Sequence, residues 1–217
     1  MKNHIRTVII SLFLITMLSA CSGINGLIPT TSADIPYFMD DFSDHTNGWN
    51  LSIQDNGVVQ YDGDALRMVI KNPATELWSF PGLNIKNSSI NVDAEMMGGP
   101  ENNLYGIVCR FKDAANYYAF LISSDGYYAI TKTIEGTRTV LSSDSFEPST
   151  FILKGQKNNH IRADCSGPTL TLYANWEELV AVNDLDLSYG DVGLIAGSLA
   201  EPGTDIKYDN FIVIKTD

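Results

Sequence analysis

The stretch from residue 104 to 132, LYGIVCRFKDAANYYAFLISSDGYYAITK, constrains the fold more than any other part of the chain. Three apolar runs follow one another there with almost no interruption. Tyr105, Ile107, Cys109 and Phe111 alternate with Gly106, Val108 and Arg110, the period of two that a strand with distinct faces requires. The chain turns through Lys112 to Asn116, and a second run spans Tyr117 to Ser124. Asp125-Gly126 reads as a two-residue hairpin, because a type I′ turn needs positive φ at both positions and Asp-Gly tolerates it. Tyr127 to Thr133 then returns antiparallel. On that register Ser124 pairs with Tyr127. Tyr118, Phe120, Ile122, Tyr127 and Ala129 then share one face, and Tyr117, Ala119, Leu121, Tyr128, Ile130 and Lys132 share the other. The first set is bulkier and carries no charge, so it is expected between two sheets, with the second set facing outward.

The remainder of the chain supplies short strands of the same kind. Tyr37 to Phe42, Trp49 to Gln54, Val58 to Tyr61 and Ala65 to Lys71 are punctuated by Asn-Gly, Asp-Gly and Asn-Pro. From Ile90 to Met97 the alternation is clean, with Ile90, Val92, Ala94 and Met96 on one face. Thr137 to Ser142, Ile161 to Cys165, Thr169 to Ala174, Leu179 to Val182, Asp191 to Ala196 and Ile206 to Ile214 complete the set. Ser143 to Asn158 is the least regular stretch, and no segment shows sustained helical periodicity. A chain of 217 residues that is 44% hydrophobic can bury one large core. The expected fold is all-β, an antiparallel β-sandwich of jelly-roll type with about a dozen strands over residues 37–217.

Lys2 and Arg6, the apolar run Thr7 to Met17 and then Leu18-Ser19-Ala20-Cys21 have the layout of an export signal. Leu-Ser-Ala-Cys resembles the bacterial lipoprotein cleavage box. The resemblance implies removal of residues 1–20, acylation of Cys21 with palmitate-type chains, and a tether over residues 21–36 of Gly, Pro, Ser and Thr without periodicity. An ordinary signal peptide with an incidental cysteine is the alternative. A retained membrane helix fits less well, because the apolar run is shorter than the ~20 residues needed to span. The expected location is the bacterial cell envelope, lipid-anchored on the extracytoplasmic side. Loss of Lys2 and Arg6 takes the net charge from −12 to −14, which argues against nucleic acid or anionic lipid as a partner and leaves the acyl chains to hold the membrane.

Cys109 and Cys165 both lie in strand-like runs of an exported chain, where oxidising conditions favour a disulfide between them. Two buried free thiols are the other reading. Neither has a second Cys or a His at zinc-ligand spacing.

Several phrases are familiar in combination: Asp41-Phe42 followed by Gly48-Trp49, then YGIVCRF, NYYAFLISSDGYY, TLTLYAN, GDVGLIAG and YDNFIV. Over about residues 37 to 215 they resemble the concanavalin A-like lectin/glucanase jelly rolls, particularly laminin-G-like and 3-keto-disaccharide hydrolase domains. The resemblance implies the fold and leaves activity open, because this architecture hosts lectins, glucanases and adhesion modules alike. It also implies the possibility of a structural calcium where first and last strands meet. Asp41, Asp44 and Asp209 are hard oxygen ligands of the right kind. Their spacing matches no calcium loop, and ordinary loop and strand-end acids explain them as well.

The residues carry no recognisable catalytic set. Paired acids in Glu-x-Asp-x-x-Glu, the laminarinase-type arrangement, are absent. Asp93-Ala94-Glu95 is the nearest approximation and reads as solvated side chains on an open sheet. No Gly-x-Ser-x-Gly elbow occurs, and His45 and His160 lie near no nucleophile. Two function classes follow: a non-catalytic glycan-binding or surface-interaction module, or a glycoside-processing hydrolase of the 3-keto-disaccharide type. A structural lipoprotein with one sheet face covered by a partner is a third. For the binding module the expected site is a shallow glycan surface around Arg110, Tyr117, Tyr128 and Lys132. Trp176, at a hairpin tip where Asn-Gly is usual, stands at its rim or folds back onto the sheet edge. The competing expectation is that this outer face lies under a loop such as Ser143 to Asn158. Trp49 and Trp78, among apolar neighbours near strand ends, are expected in the core.

Overall fold

The computed structural model describes residues 35–217, so the expected export signal and Cys21 lie outside the described residues. The described residues form sixteen strands: β1 (Phe38–Asp40), β2 (Ser52–Gln54), β3 (Gly57–Tyr61), β4 (Leu66–Ile70), β5 (Thr75–Ser79), β6 (Ser88–Gly98), β7 (Asn103–Asp113) and β8 (Asn116–Ile122), then β9 (Tyr127–Ile134), β10 (Thr137–Val140), β11 (Glu147–Pro148), β12 (Asn158–Ser166), β13 (Thr169–Ala174), β14 (Glu177–Asn183), β15 (Asp191–Ser198) and β16 (Asp205–Lys215). They make two antiparallel sheets. The nine-stranded sheet runs β14-β13-β12-β6-β16-β4-β3-β2, with β1 also on β16, and the seven-stranded sheet runs β10-β9-β8-β7-β15-β5, with β11 on β9. The expected all-β jelly-roll sandwich is what forms.

The core between the sheets is drawn from alternate residues of the long strands, as a period of two demands. Ile90, Val92, Ala94 and Met96 of β6 meet Tyr105 and Ile107 of β7 and Tyr118, Phe120 and Ile122 of β8. Cys109 of β7 and Cys165 of β12 are joined by a disulfide that ties one sheet to the other through this core. Trp49 is buried here and donates its indole N–H to Asp40 at 2.7 Å. A second apolar cluster covers the outer face of the seven-stranded sheet, built on Phe80, Leu104, Val108, Tyr117, Ala119, Leu121 and Ile195 with Trp78, Phe111 and Phe146 packed against it. Two clusters on opposite sides of one sheet explain why β7 and β8 are apolar on both faces.

The turn after β8 departs from expectation by one residue. Ile122 pairs with Tyr128 and Tyr117 with Thr133. Ser123 receives the closing bonds, its N–H donating to Tyr127 O at 2.9 Å and its carbonyl accepting Gly126 N–H at 3.0 Å. The loop is therefore Ser124-Asp125-Gly126, three residues with positive φ at Gly126, the geometry of a type I turn closed by a left-handed residue. The cause lies outside the hairpin. Buried Asn103 accepts the Ser124 N–H at 3.0 Å and donates to Ser124 Oγ at 3.0 Å, withdrawing Ser124 from the ladder. A slip of one residue exchanges the faces of a strand. Tyr128, Ile130 and Lys132 consequently point to the inner side with Tyr118, Phe120 and Ile122, and Tyr127 and Ala129 point outward.

Candidate functional site

The outer face of the seven-stranded sheet carries a broad concavity. Its two edge strands are β5 and β10, with four strands between them. Even so, Arg138 of β10 makes a bidentate pair with Glu76 of β5, Nη1–Oε1 at 2.5 Å and Nη2–Oε2 at 2.6 Å. On a flat sheet the five inter-strand steps of about 4.8 Å each would separate these groups further than an Arg and a Glu side chain reach together. The sheet must therefore curl, and its outer face is concave. Tyr117 of β8 is drawn into the same network. Its hydroxyl accepts from Arg138 Nη2 at 2.7 Å and lies 3.4 Å from Glu76 Oε2.

Beneath the ion pair lies an aromatic floor. Trp78 meets Tyr117 edge-on with ring centroids 6.0 Å apart, Phe111 lies 5.8 Å from Tyr117, and Phe80 packs on Phe111 at 4.1 Å. Glycines in β15 make the room. A Cβ on Gly193 would stand 2.4 Å from the Phe80 ring, and one on Gly197 would stand 2.7 Å from Leu104 and 2.8 Å from Glu76. The resulting groove holds about 450 Å³ and is lined by Glu76, Trp78, Tyr117, Thr133, Arg138 and Leu199 with Ala74, Ala114, Gly136 and Ser198. A second hollow of about 370 Å³, lined by Tyr127, Phe146, Asn102 and Ser123 among others, meets it at Leu199. The indole N–H of Trp78 and the hydroxyls of Thr131 and Thr133 are buried without a protein hydrogen-bond partner. Burial pulls the Arg138 guanidinium pKa down, and Glu76 and Tyr117 more than reverse that, so its charge is secure. An apolar floor with a few convergent polar groups, some of them unsatisfied, is how proteins receive small polar ligands with apolar faces.

Of the residues expected from sequence at a ligand site, only Tyr117 belongs to this groove. Arg110 is a correction. It occupies a bulge between Cys109 and Asp113 with φ of 51°, which turns it off the outer face. The residue is 2% exposed, and its guanidinium donates to the carbonyls of Lys86, Leu187 and Gly167 at 3.2, 2.8 and 2.8 Å. Burial among neutral acceptors pulls its pKa down. Tyr128 and Lys132 are corrected with it, because the three-residue turn carries both to the inner side. There Tyr128 packs against the main core and Lys132 pairs with Asp184 and Asp186. Trp176 stands on the outer face of the other sheet, stacked on His160, so it cannot rim a site at Tyr117. The expected surface is thus divided between two sheet faces and the inner side. The expectation of a covering loop is met in part, since Phe146 of the stretch 143–158 packs on the outer cluster.

Glu76 and Arg138 were not singled out from sequence, and Trp78, expected in the core, packs instead on the outer cluster and lines the groove. Glu76 and Trp78 alternate with Leu77 and Ser79, a pattern that marks them as sharing a strand face. No local signal joins them to Arg138, 62 residues away. The candidate calcium ligands do not converge. Asp41 accepts from the hydroxyl of Ser43 at 2.6 Å and Asp44 from that of Thr46 at 2.7 Å, bonds that hold both carboxyls below the usual range. Asp209 accepts the N–H of Asn210 at 2.7 Å, but burial pushes its pKa up. Among the described residues no three His, Cys, Asp or Glu side chains come together as a metal-holding group.

Two antiparallel sheets with a groove on one outer face make an all-β sandwich of jelly-roll type. Solved structures of that architecture include the carbohydrate-binding module CBM66 from Bacillus subtilis, with a TM-score of 0.62 and 16% identity over 77% of this chain and 96% of that one. The GH43 protein BlXynB from Bacillus licheniformis matches with a TM-score of 0.63 and 14% identity over 82% of this chain, which spans 39% of that protein. A Bacillus subtilis protein of unknown function with a galectin-like fold gives a TM-score of 0.60 and 11% identity over 83% of this chain and 96% of that one. At these identities the likeness is one of fold. No family model matches the sequence, and no curated protein matches it.

Proposed function

We propose that the protein is a non-catalytic carbohydrate-binding module carried by a cell-envelope lipoprotein, with its glycan held in the groove of the seven-stranded sheet. The observation that carries this reading is the groove itself: an aromatic floor of Trp78 and Tyr117 beneath the Glu76–Arg138 pair, with an indole N–H and a threonine hydroxyl left unpaired in its lining. Sugar rings offer C–H faces to aromatic surfaces and hydroxyls to such polar groups. The fold shared with a carbohydrate-binding module supports the same reading. Binding is favoured over hydrolysis because Glu76 is the one carboxylate lining the groove, whereas glycosidases of the usual kinds need two.

A glycan array with and without calcium, followed by calorimetry on the best hit, tests it. Replacing both partners by amides, Glu76→Gln with Arg138→Gln, removes the charges together and leaves no lone one. Affinity should fall at least tenfold with the melting temperature nearly unchanged. Absence of any array hit, or full affinity in the double variant, would remove the groove from consideration. Anchoring through acylated Cys21 would present the groove outside the cytoplasm, two chains giving stable attachment where one is marginal. Mass spectrometry of the N-terminal peptide should find a lipid-modified Cys21, and a free α-amine on another residue would refute the anchor.

A further inference from the structure

Trp176 is 77% exposed, yet it is held in one place. Ala174 pairs with Glu177, so Asn175-Trp176 is a two-residue loop between β13 and β14, and both residues have positive φ, 51° and 74°. That is a type I′ turn with tryptophan where glycine is preferred. A bulky side chain in the left-handed region costs on the order of 1–3 kcal/mol and persists only where its surroundings impose it. The surroundings here are specific. Asn175 accepts the His160 N–H at 3.0 Å and donates to Phe151 O at 2.7 Å, pinning the loop to β12. The indole lies on the His160 ring with centroids 4.0 Å apart and planes 18° from parallel. His160 is in turn fixed by Asp93, Nδ1–Oδ1 at 2.8 Å, and the other Asp93 oxygen accepts from Asn210 at 2.9 Å. The chain thus retains a strained turn and a layered support whose visible product is a rigid indole face turned to solvent.

We propose that this platform is a second saccharide site, separate from the groove, that takes the flat face of a neutral pyranose with equatorial substituents. A rigid exposed aromatic ring binds such a face without losing side-chain freedom. An ionised carboxylate offers about four lone-pair positions, of which Asp93 uses two here, so it can still accept sugar hydroxyls beside the ring. Asp93 and neighbouring Asp209, in a chain of net charge −12, select against uronates and sulfated sugars. The nine-stranded sheet carries this site and the seven-stranded sheet carries the groove, so either can be lost without the other.

The decisive variant is Trp176→Gly, which restores the residue that the turn prefers. Xylohexaose and cellohexaose, both neutral and all-equatorial, serve as probes in calorimetry on the full-length protein. The background is Glu76→Gln/Arg138→Gln, so that the groove does not contribute. Trp176 in that background should bind at least one of the two, and Trp176→Gly should weaken it at least tenfold while its melting temperature stays level or rises. Failure of both hexasaccharides to bind the Trp176 protein overturns the proposal, as does unchanged affinity in Trp176→Gly. A melting temperature lowered by several degrees would assign the indole to stability and overturn it too. A failed groove reading looks different: the amide pair alone would then leave glycan affinity untouched.

Discussion

Lys132 is held by two carboxylates, Asp184 at 2.5 Å and Asp186 at 2.6 Å, and Asp184 also accepts the hydroxyl of Tyr118 at 2.5 Å. The Tyr118 hydroxyl takes the Leu187 N–H at 3.0 Å, while the Leu187 carbonyl takes Arg110. The two cations therefore pin the segment 184–187 to the central hairpin from within. Hydrogen bonds to Asp184 and Asp186 push Lys132 from 10.5 up to about 12. Burial pushes Asp184 up, but the bonds from Lys132 and Tyr118 win and leave it below 3.8. A cation with a raised pKa stabilises the fold fully below its unfolded value and loses that contribution as pH climbs through its folded value. A carboxylate with a lowered pKa stabilises above its unfolded value and loses its contribution as pH falls through the folded one. In Lys132→Met, urea stability should fall less steeply than in the parent between pH 10.5 and 12. Its acid loss should also be smaller, because Asp184 keeps its burial and loses its ammonium partner, which raises its folded pKa toward or past the unfolded value and shrinks or reverses the contribution that acid removes. Identical pH profiles would mean the ion pair is worth nothing.

At the scale of strands, what was legible was alternation, and what was hidden was register. Ile90 to Met96 could be placed on the core face from period alone, because one face of β6 is apolar and the other is polar. The hairpin of β8 and β9 offered no such contrast, since both faces are apolar and each is buried under its own cluster. Only the turn could decide there, and Asp125-Gly126 supports either a two-residue or a three-residue loop. Asn103, about twenty residues upstream, settles it by taking hold of Ser124. The misplacement of Tyr128 and Lys132 follows from that single step. Arg110 was hidden for a related reason: a bulge with a left-handed residue inside an unbroken apolar run leaves no mark on periodicity. Glu76 and Arg138 come together through the curl of a whole sheet, which pairwise reading along a chain does not reach.

Over the whole molecule, the two sheets are held by apolar contact and by one covalent link. The core strands are long and alternate cleanly, which is why the sandwich itself could be read from sequence while its outer faces could not. Export chemistry pointed to the pairing of Cys109 with Cys165, and the fold gives it a purpose, since β7 belongs to the seven-stranded sheet and β12 to the nine-stranded one. Separation of the sheets is the event that unfolding requires, and a link across the interface restrains the unfolded chain most directly. Closing a loop of 56 residues removes denatured-state entropy equivalent to about 4 kcal/mol in the chain-entropy account. For a domain of this size that corresponds to roughly 10 °C in melting temperature. The Cys109→Ala/Cys165→Ala protein should therefore unfold in urea with a free energy lower by about that amount. Mass mapping of alkylated cysteines in the parent should find neither thiol free before reduction. Two alkylated thiols in the parent, or a double variant as stable as the parent, would show that apolar packing alone holds the sheets together.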